Sequence, residues 1–116
     1  MAVAELFAGL ATADLETALR WYERLMGRPP DLVPNDNEGA WQLADHAWIY
    51  VVGDAERAGR GLLTLLVDDL EAKVAELAQR GLTTDAIETV SGVVSTAAIR
   101  DPDGNRITFG EPASQG

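Results

Sequence analysis

The segment from Arg100 to Gly110, RDPDGNRITFG, concentrates side chains that could bind a metal ion. Asp101, Asp103 and Asn105 stand at alternate positions, as the first ligands of a calcium-binding EF-hand loop do. Such a loop also needs glycine at its sixth position and a bidentate glutamate at its twelfth. Counted from Asp101, these two positions hold arginine and proline. The calcium interpretation therefore fails.

The same segment has the residues of a tight turn. Pro102 fits an early turn position, and Gly104 can adopt the positive φ that a chain reversal needs. The flanking runs, STAAIR and RITFG, are strand-like, so the segment is predicted to be a hairpin loop. Asp101 and Asn105 are expected to hydrogen-bond the backbone of the loop itself.

Composition restricts the class of protein. Apolar residues make up 47% of the 116 residues and charged residues 24%, which predicts one globular domain over residues 1–116. The net charge of −10 disfavours nucleic acid and anionic membranes as partners. It is compatible with a cationic ligand, and the alternative is that it only supports solubility. The lack of cysteine excludes disulfides and thiolate chemistry. Since neither a membrane span nor a signal peptide is recognisable, we expect a cytoplasmic location.

An internal repeat predicts two helices. TADLETALRWYERLMG, residues 12–27, and VDDLEAKVAELAQRG, residues 67–81, each contain Asp-Leu-Glu, an apolar pattern of helical period and a final glycine. Gly27 and Gly81 suit the left-handed position just beyond a helix end.

The helix starts carry different signals. Asp68 and Glu71 have the spacing of a capping box, in which two side chains satisfy the first free N–H groups of a helix. The first helix lacks that box because alanine takes the place of the aspartate, and there Thr12 or Asp14 is the candidate N-cap.

Short strand-like runs surround both helices, and turn-rich segments such as PNDNEG and GDAERAGRG separate them. Each half of the chain reads strand, helix and three strands, so we predict an α+β fold of two βαβββ modules, residues 4–56 and 60–112. The predicted strands are 6–12, 32–34, 40–43, 47–52, 62–67, 87–90, 94–100 and 106–110.

Two βαβββ modules, the helix end WYERLMG and the turn DPDGNRI together resemble the vicinal oxygen chelate superfamily. That group includes glyoxalase I, extradiol dioxygenases, fosfomycin-resistance enzymes and bleomycin-resistance proteins. The resemblance covers residues 4–112 and implies a half-barrel cleft and a homodimer. It does not choose among the chemistries that the fold supports.

Metal-binding members place histidine, glutamate or glutamine on the first and last strands of each module. The resemblance puts Phe7 and Leu62, 55 residues apart, at the first-strand positions, and Tyr50 and Thr108 at the last-strand positions. None of these side chains is a good ligand for a divalent cation. We therefore expect no metal and no cofactor, and neither glyoxalase I nor dioxygenase activity.

The same alignment predicts a largely apolar pocket for a small molecule, because side chains of one strand alternate between its two faces. Trp41 is expected to add a stacking surface, and Arg106 could pair with an anionic ligand or with local aspartates. The alternative is that the aromatic residues are packed core, as is expected of Tyr22. The candidate ligand-binding residues are Phe7, Trp41, Trp48, Tyr50, Leu62, Thr64, Arg106 and Thr108.

The leading functional hypothesis is a metal-free protein, similar to the bleomycin-resistance branch, that sequesters a small aromatic or cationic compound. One alternative is a metal-independent isomerase, lyase or cyclase acting through Tyr50, Thr64, His46 or Glu5. His46, the only histidine, is expected in an exposed turn, and as a base it would need a carboxylate or hydroxyl partner. A non-catalytic accessory protein is the third possibility.

Overall fold

The computed structural model describes residues 2–90 and 92–113 and confirms the predicted element order, with strand ends within two residues of their predicted places. The first half contains β1 (Leu6–Thr12), α1 (Leu15–Met26), β2 (Leu32–Asn35), β3 (Glu38–Ala44) and β4 (Ala47–Gly53). The second half contains β5 (Leu62–Leu66), α2 (Leu70–Gln79), β6 (Glu88–Val90), β7 (Val94–Arg100) and β8 (Arg106–Pro112).

Each half forms its own four-stranded sheet. The strand orders are β1-β4-β3-β2 and β5-β8-β7-β6, with the first and last strands of each half parallel and the hairpins antiparallel. This is the α+β fold of two βαβββ modules that the sequence predicts. The sheets are open and form no closed barrel. No helix among the described residues is long and apolar enough to cross a bilayer.

One face of each sheet is covered by a helix and the other is not. Along the six strands other than β2 and β6, alternate side chains turn towards the helices and join one core that includes residues of both halves. Tyr22 lies in this core, as predicted. Other members of the core are Leu10, Leu25, Ile49, Val51, Leu77, Ile107 and Phe109. The intervening side chains therefore lie on the faces that no helix covers.

Equivalent aspartates begin the two helices. Asp14 accepts a hydrogen bond from the Thr17 N–H at 3.2 Å, and Asp69 accepts one from the Ala72 N–H at 3.0 Å. The bonds from Thr17 hold the pKa of the Asp14 carboxyl below its usual value. The predicted capping box at Asp68 is wrong, because the N-cap lies one residue later and alanine occupies its third helical position.

The helix ends agree with the sequence. Gly27 has φ 76° and Gly81 has φ 79°, so both occupy the left-handed region that favours glycine. Arg80, at the end of α2, donates to the Leu25 carbonyl at the end of α1, at 3.1 Å. The two helix ends are therefore held together.

The segment between β7 and β8 is the predicted hairpin loop, with Gly104 at φ 100°. Asp101 does bond the backbone of the loop, since its Oδ1 accepts from the N–H groups of Asp103 and Asn105, each at 2.9 Å. Its other oxygen accepts from the Tyr22 hydroxyl at 2.7 Å. The expectation that both side chains bond the loop backbone holds for Asp101, whereas the Asn105 side chain bonds the Asp101 side chain and backbone groups outside the loop. Burial, and next the charge of Asp101, raise the pKa of Tyr22.

Asn105 extends the loop to the rest of the molecule. Its Oδ1 accepts from the Gly61 N–H at 2.7 Å, and its Nδ2 donates to the Ala11 carbonyl at 2.8 Å. Asp103 accepts from the Thr12 hydroxyl and from the backbone N–H that follows it. We call Asp101, Asp103 and Asn105 the clasp, because they bind the last hairpin of the second half to β1 and α1 of the first.

We predict that Asn105→Ala lowers the free energy of unfolding by about 3 kcal/mol. The substitution leaves the Gly61 N–H and the Ala11 carbonyl without these partners at a fully buried position. Chemical denaturation measures the change. Asn35→Ala is the matched control, because Asn35 is exposed and bonds only within its own turn, so its change should stay near 0.5 kcal/mol or less. Equally small changes in both variants would contradict this role of the clasp.

Candidate functional site

The four positions that correspond to metal ligands in the superfamily lie on the uncovered sheet faces. Phe7 pairs with Trp48 across β1 and β4, and Gly9 pairs with Tyr50. In the second sheet Leu62 pairs with Arg106, and Thr64 pairs with Thr108. In both halves the first-strand position thus precedes the last-strand position by two residues along the register. This equal offset is consistent with Tyr50 as the last-strand position of the first half.

These four positions do not fit a divalent metal. A phenyl ring, a phenol, an isobutyl group and a hydroxyl provide neither imidazole nor carboxylate ligands. The part of the chain that the structure describes contains no group of three His, Asp or Glu side chains able to hold an ion. No reaction step through a bound metal can be built from these residues.

The uncovered face of the first sheet presents aromatic rings. Phe7 and Trp48 stack with their ring centroids 5.5 Å apart and their planes inclined by 14°. Phe7 remains 48% exposed although it is in contact with Trp48. Tyr50 follows Trp48 on the same face of β4. We call Phe7, Trp48 and Tyr50 the aromatic platform.

The Tyr50 ring lies across Gly9. A Cβ atom added at Gly9 would stand 2.6 Å from the Tyr50 hydroxyl oxygen and 2.8 Å from Cε2, so the ring needs a glycine beneath it. Among the described residues the Tyr50 hydroxyl has no hydrogen-bond partner. It is therefore available to a ligand.

Tyr50 also lines a cleft of about 380 Å³ whose far wall is the connection between the two halves. That connection contributes Asp54, Arg57 and Arg60. Arg57 lies 3.6 Å from Asp54 in an exposed ion pair. Sequence reasoning missed these arginines. The available signal was the segment GDAERAGRG, which was interpreted only as a turn-rich separator.

The second sheet carries the other predicted residues as a separate row. Leu62 is 81% exposed, and Thr64 and Thr108 lie side by side in register. Arg106 faces a small cavity of about 60 Å³ near Asp85, and none of the ion pairs between described residues includes it. The Tyr50 cleft contains no residue of this row. A different cavity between the two halves is lined by Trp48 of the first row and Thr64 of the second. Among the described residues, Phe7, Tyr50, Leu62 and Thr108 do not share one pocket.

Trp41 does not belong to the site. It has no exposed surface, points into the core and donates its indole N–H to the Arg28 carbonyl at 3.0 Å. Its register partner across β3 and β4 is the core residue Ile49. Trp41 is thus one position out of phase with the uncovered face, and the expectation that it offers a stacking surface is wrong.

His46 lies in the predicted exposed turn, with φ 63° and a side chain that is mostly exposed. Its Nδ1 is 3.1 Å from a carboxylate oxygen of Glu5. This pair lies beside the first register pair of β1 and β4, next to the Phe7 end of the aromatic platform. The structure therefore provides the carboxylate partner that the sequence could not reveal.

Comparison with known proteins identifies the family. The model of the Glyoxalase/Bleomycin resistance protein/Dioxygenase superfamily matches residues 5–109. The chain belongs to this superfamily. A crystal structure of a glyoxalase/bleomycin resistance protein from Catenulispora acidiphila shares 39% sequence identity, covers 92% of this chain and 96% of its own, and superposes with a TM-score of 0.87.

Two further superfamily structures differ in what they are named for. TnmS3, an antibiotic binding protein from Streptomyces, is 27% identical over 97% of this chain and 99% of its own, with a TM-score of 0.76. A lactoylglutathione lyase from Agrobacterium tumefaciens is 21% identical over 93% and 92% of the two chains, with a TM-score of 0.71, and shows the fold alone. No curated protein sequence matches the chain.

We predict that Gly9→Ala displaces the Tyr50 ring and lowers the free energy of unfolding by about 1–3 kcal/mol, because the added methyl overlaps the phenol. In a Tyr50→Ala background the same change should have little effect. A double-mutant cycle measured by denaturation isolates the coupling, for which we expect at least ~0.5 kcal/mol. If the two substitutions changed the free energy of unfolding additively, that result would contradict the contact between the Tyr50 ring and Gly9.

Proposed function

We propose that the protein is a metal-free binding protein that sequesters a small aromatic compound on the platform of Phe7, Trp48 and Tyr50. The observation that carries this proposal is the exposed, nearly parallel stack of Phe7 on Trp48. Rings in this arrangement leave a flat apolar face on which a planar ligand can stack. Such stacking stabilises a complex beyond the contribution of the apolar area that is buried. The free Tyr50 hydroxyl supplies one polar handle.

The charges around the platform would orient such a ligand. Glu5 lies at the Phe7 end, and Arg57 and Arg60 border the cleft beyond Tyr50. A cationic group on the ligand would favour the Glu5 end, and hydrogen-bond acceptors would favour the arginine end. The net charge of −10 adds a long-range attraction for cationic compounds.

An antibiotic-type ligand fits these features. TnmS3, the antibiotic binding protein, shares the fold and 27% of the sequence. None of the four metal positions carries a good metal-ligating side chain. This is expected of a superfamily member that binds its compound without transforming it. As part of this proposal the chain acts as one domain in the cytoplasm.

The proposal includes a homodimer. Leu62 and Leu66 are strongly exposed apolar residues on the uncovered face of the second sheet, beside Thr64. If a second copy placed this row opposite the aromatic platform, both would be buried and the pocket would be completed from two chains.

Analytical ultracentrifugation should find a dimer that Leu62→Asp shifts towards monomer. A monomer at all concentrations would remove the dimer from the proposal.

Tryptophan fluorescence tests ligand binding directly. Trp21 and Trp41 are buried, so Trp48 is the tryptophan whose emission a platform ligand should change. Titration with planar cationic, planar anionic and non-planar compounds should produce saturable changes for planar ones. Phe7→Ala should weaken the best ligand about tenfold through loss of one stacking partner. Leu32→Ala is the control, because Leu32 is similarly exposed but lies on the edge strand β2.

Two different results would contradict the binding proposal. If no compound in a broad panel alters the emission or raises the melting temperature, sequestration is wrong and an accessory role without a ligand is favoured. If Phe7→Ala and Leu32→Ala weaken binding equally, the ligand does not lie on the platform.

A second candidate function rests on the His46–Glu5 pair. A carboxylate bonded to Nδ1 leaves Nε2 free to remove a proton, which is the arrangement that a metal-independent isomerase or lyase would use. For a compound that binds, exchange of its acidic hydrogens with solvent deuterium would be followed by NMR. If the native protein catalyses this exchange and the His46→Gln variant does not, although it still binds the compound, the enzyme function is favoured. Binding without exchange favours sequestration.

A further inference from the structure

A second cavity lies between the two halves, beside the edge strand β5, and both helix-side residues and residues of the uncovered faces line it. It has a volume of about 430 Å³, which is in the range of small-molecule sites. The end of α1, Lys73 of α2 and residues of both sheets form its walls. Of the aromatic platform, Trp48 lines this cavity, whereas Phe7 and Tyr50 do not. We call it the seam cavity. It is separate from the cleft beside Tyr50.

The walls of the seam cavity are almost entirely aliphatic or aromatic. Water in such a space has few hydrogen-bond partners, so its replacement by an apolar group is favourable. The principal apolar side chains are Leu6, Ala8, Leu43, Leu63, Leu65 and Phe109.

One cationic group breaks this pattern. Lys73, on α2, is the only lysine in the sequence. It is also the only ionisable residue among the described ones that lines the seam cavity. Its side chain is only 25% exposed, and its ammonium lies 5.6 Å from the centroid of the Phe109 ring. Glu76 is a loose partner at 3.8 Å and is itself bonded to Arg80. The ammonium therefore retains donors for a further acceptor.

We infer that the seam cavity binds a small apolar acid, whose hydrocarbon part fills the space between the sheets and whose carboxylate pairs with Lys73. Charge complementarity selects this occupant. A carboxylate gains a charge-assisted hydrogen bond in a partly desolvated site. A neutral analogue lacks that gain, and a cation would be repelled. This site takes a different class of ligand from the aromatic platform. It shares Trp48 with the platform but needs neither Phe7 nor Tyr50.

The single lysine allows a site-specific measurement. Reductive methylation with ¹³C-formaldehyde labels Lys73 and the N-terminal amine and keeps the positive charge of both. Decanoate is the probe, with decanol and decyltrimethylammonium as neutral and cationic controls of the same chain length. Moderate salt screens the acidic surface. Decanoate should shift the Lys73 methyl signal saturably and leave the N-terminal signal in place, and it should bind roughly tenfold more tightly than either control.

Variants of the unlabelled protein, studied by calorimetry, locate the site. Lys73→Met keeps an apolar stem and should weaken decanoate about tenfold, whereas Lys73→Arg should bind nearly as well as the native protein. Arg20→Met is the matched loss of charge at an exposed residue that lines neither cavity, and it should leave decanoate binding unchanged. Phe7→Ala should also leave decanoate binding unchanged. Ala8→Leu fills the cavity and should weaken all apolar probes.

Several results would overturn the inference. Equal binding of decanoate and decanol, or unchanged binding by Lys73→Met, would show that the ammonium does not recognise an acid. A shift of the N-terminal signal alone would place the probe elsewhere. A dimer in which the Lys73 signal fails to respond would show that a second copy covers the cavity.

Discussion

The side chain of Asn105 holds the last hairpin of the second half against the first strand of the other half. It accepts from the Gly61 N–H and donates to the Ala11 carbonyl, while Asp101 holds the loop and the Tyr22 hydroxyl. All these groups are buried or partly buried, where an unpaired polar atom is expensive. The relative positions of β1, β5 and β8 depend on this network. The candidate ligand surfaces are built on those strands.

Strand alternation divides the molecule into two chemical environments. One set of side chains forms the core beneath the helices, and the other set remains on the uncovered faces. On those faces the superfamily's metal positions carry apolar, phenolic and hydroxyl groups in matching register. Stacking and apolar contact, rather than Lewis-acid chemistry, are what such a surface can offer a ligand.

The repeat and the apolar periodicity were sufficient to predict the element order and the fold class. The resemblance to the superfamily assigned Phe7, Tyr50, Leu62 and Thr108 to corresponding positions. Local rules were less reliable. The capping-box rule selected Asp68, whereas the 55-residue repeat from Asp14 indicates Asp69, the observed cap. The sequence could not show whether Trp41 faces the core or the uncovered side of the sheet. That depends on the register of the hairpin formed by β3 and β4. The Glu5 and Tyr22 contacts join distant parts of the chain, which local patterns do not encode.

The central claim is that the platform of Phe7, Trp48 and Tyr50 binds its ligand without a metal ion. The most direct measurement is the affinity of the tightest planar ligand before and after dialysis against a chelator, with the metal content of the same samples determined by mass spectrometry. If the platform binds its ligand without a metal ion, the metal content will be substoichiometric and the affinity will be unchanged. Stoichiometric zinc, nickel or iron, together with binding that is lost on chelation and restored by the ion, would contradict it.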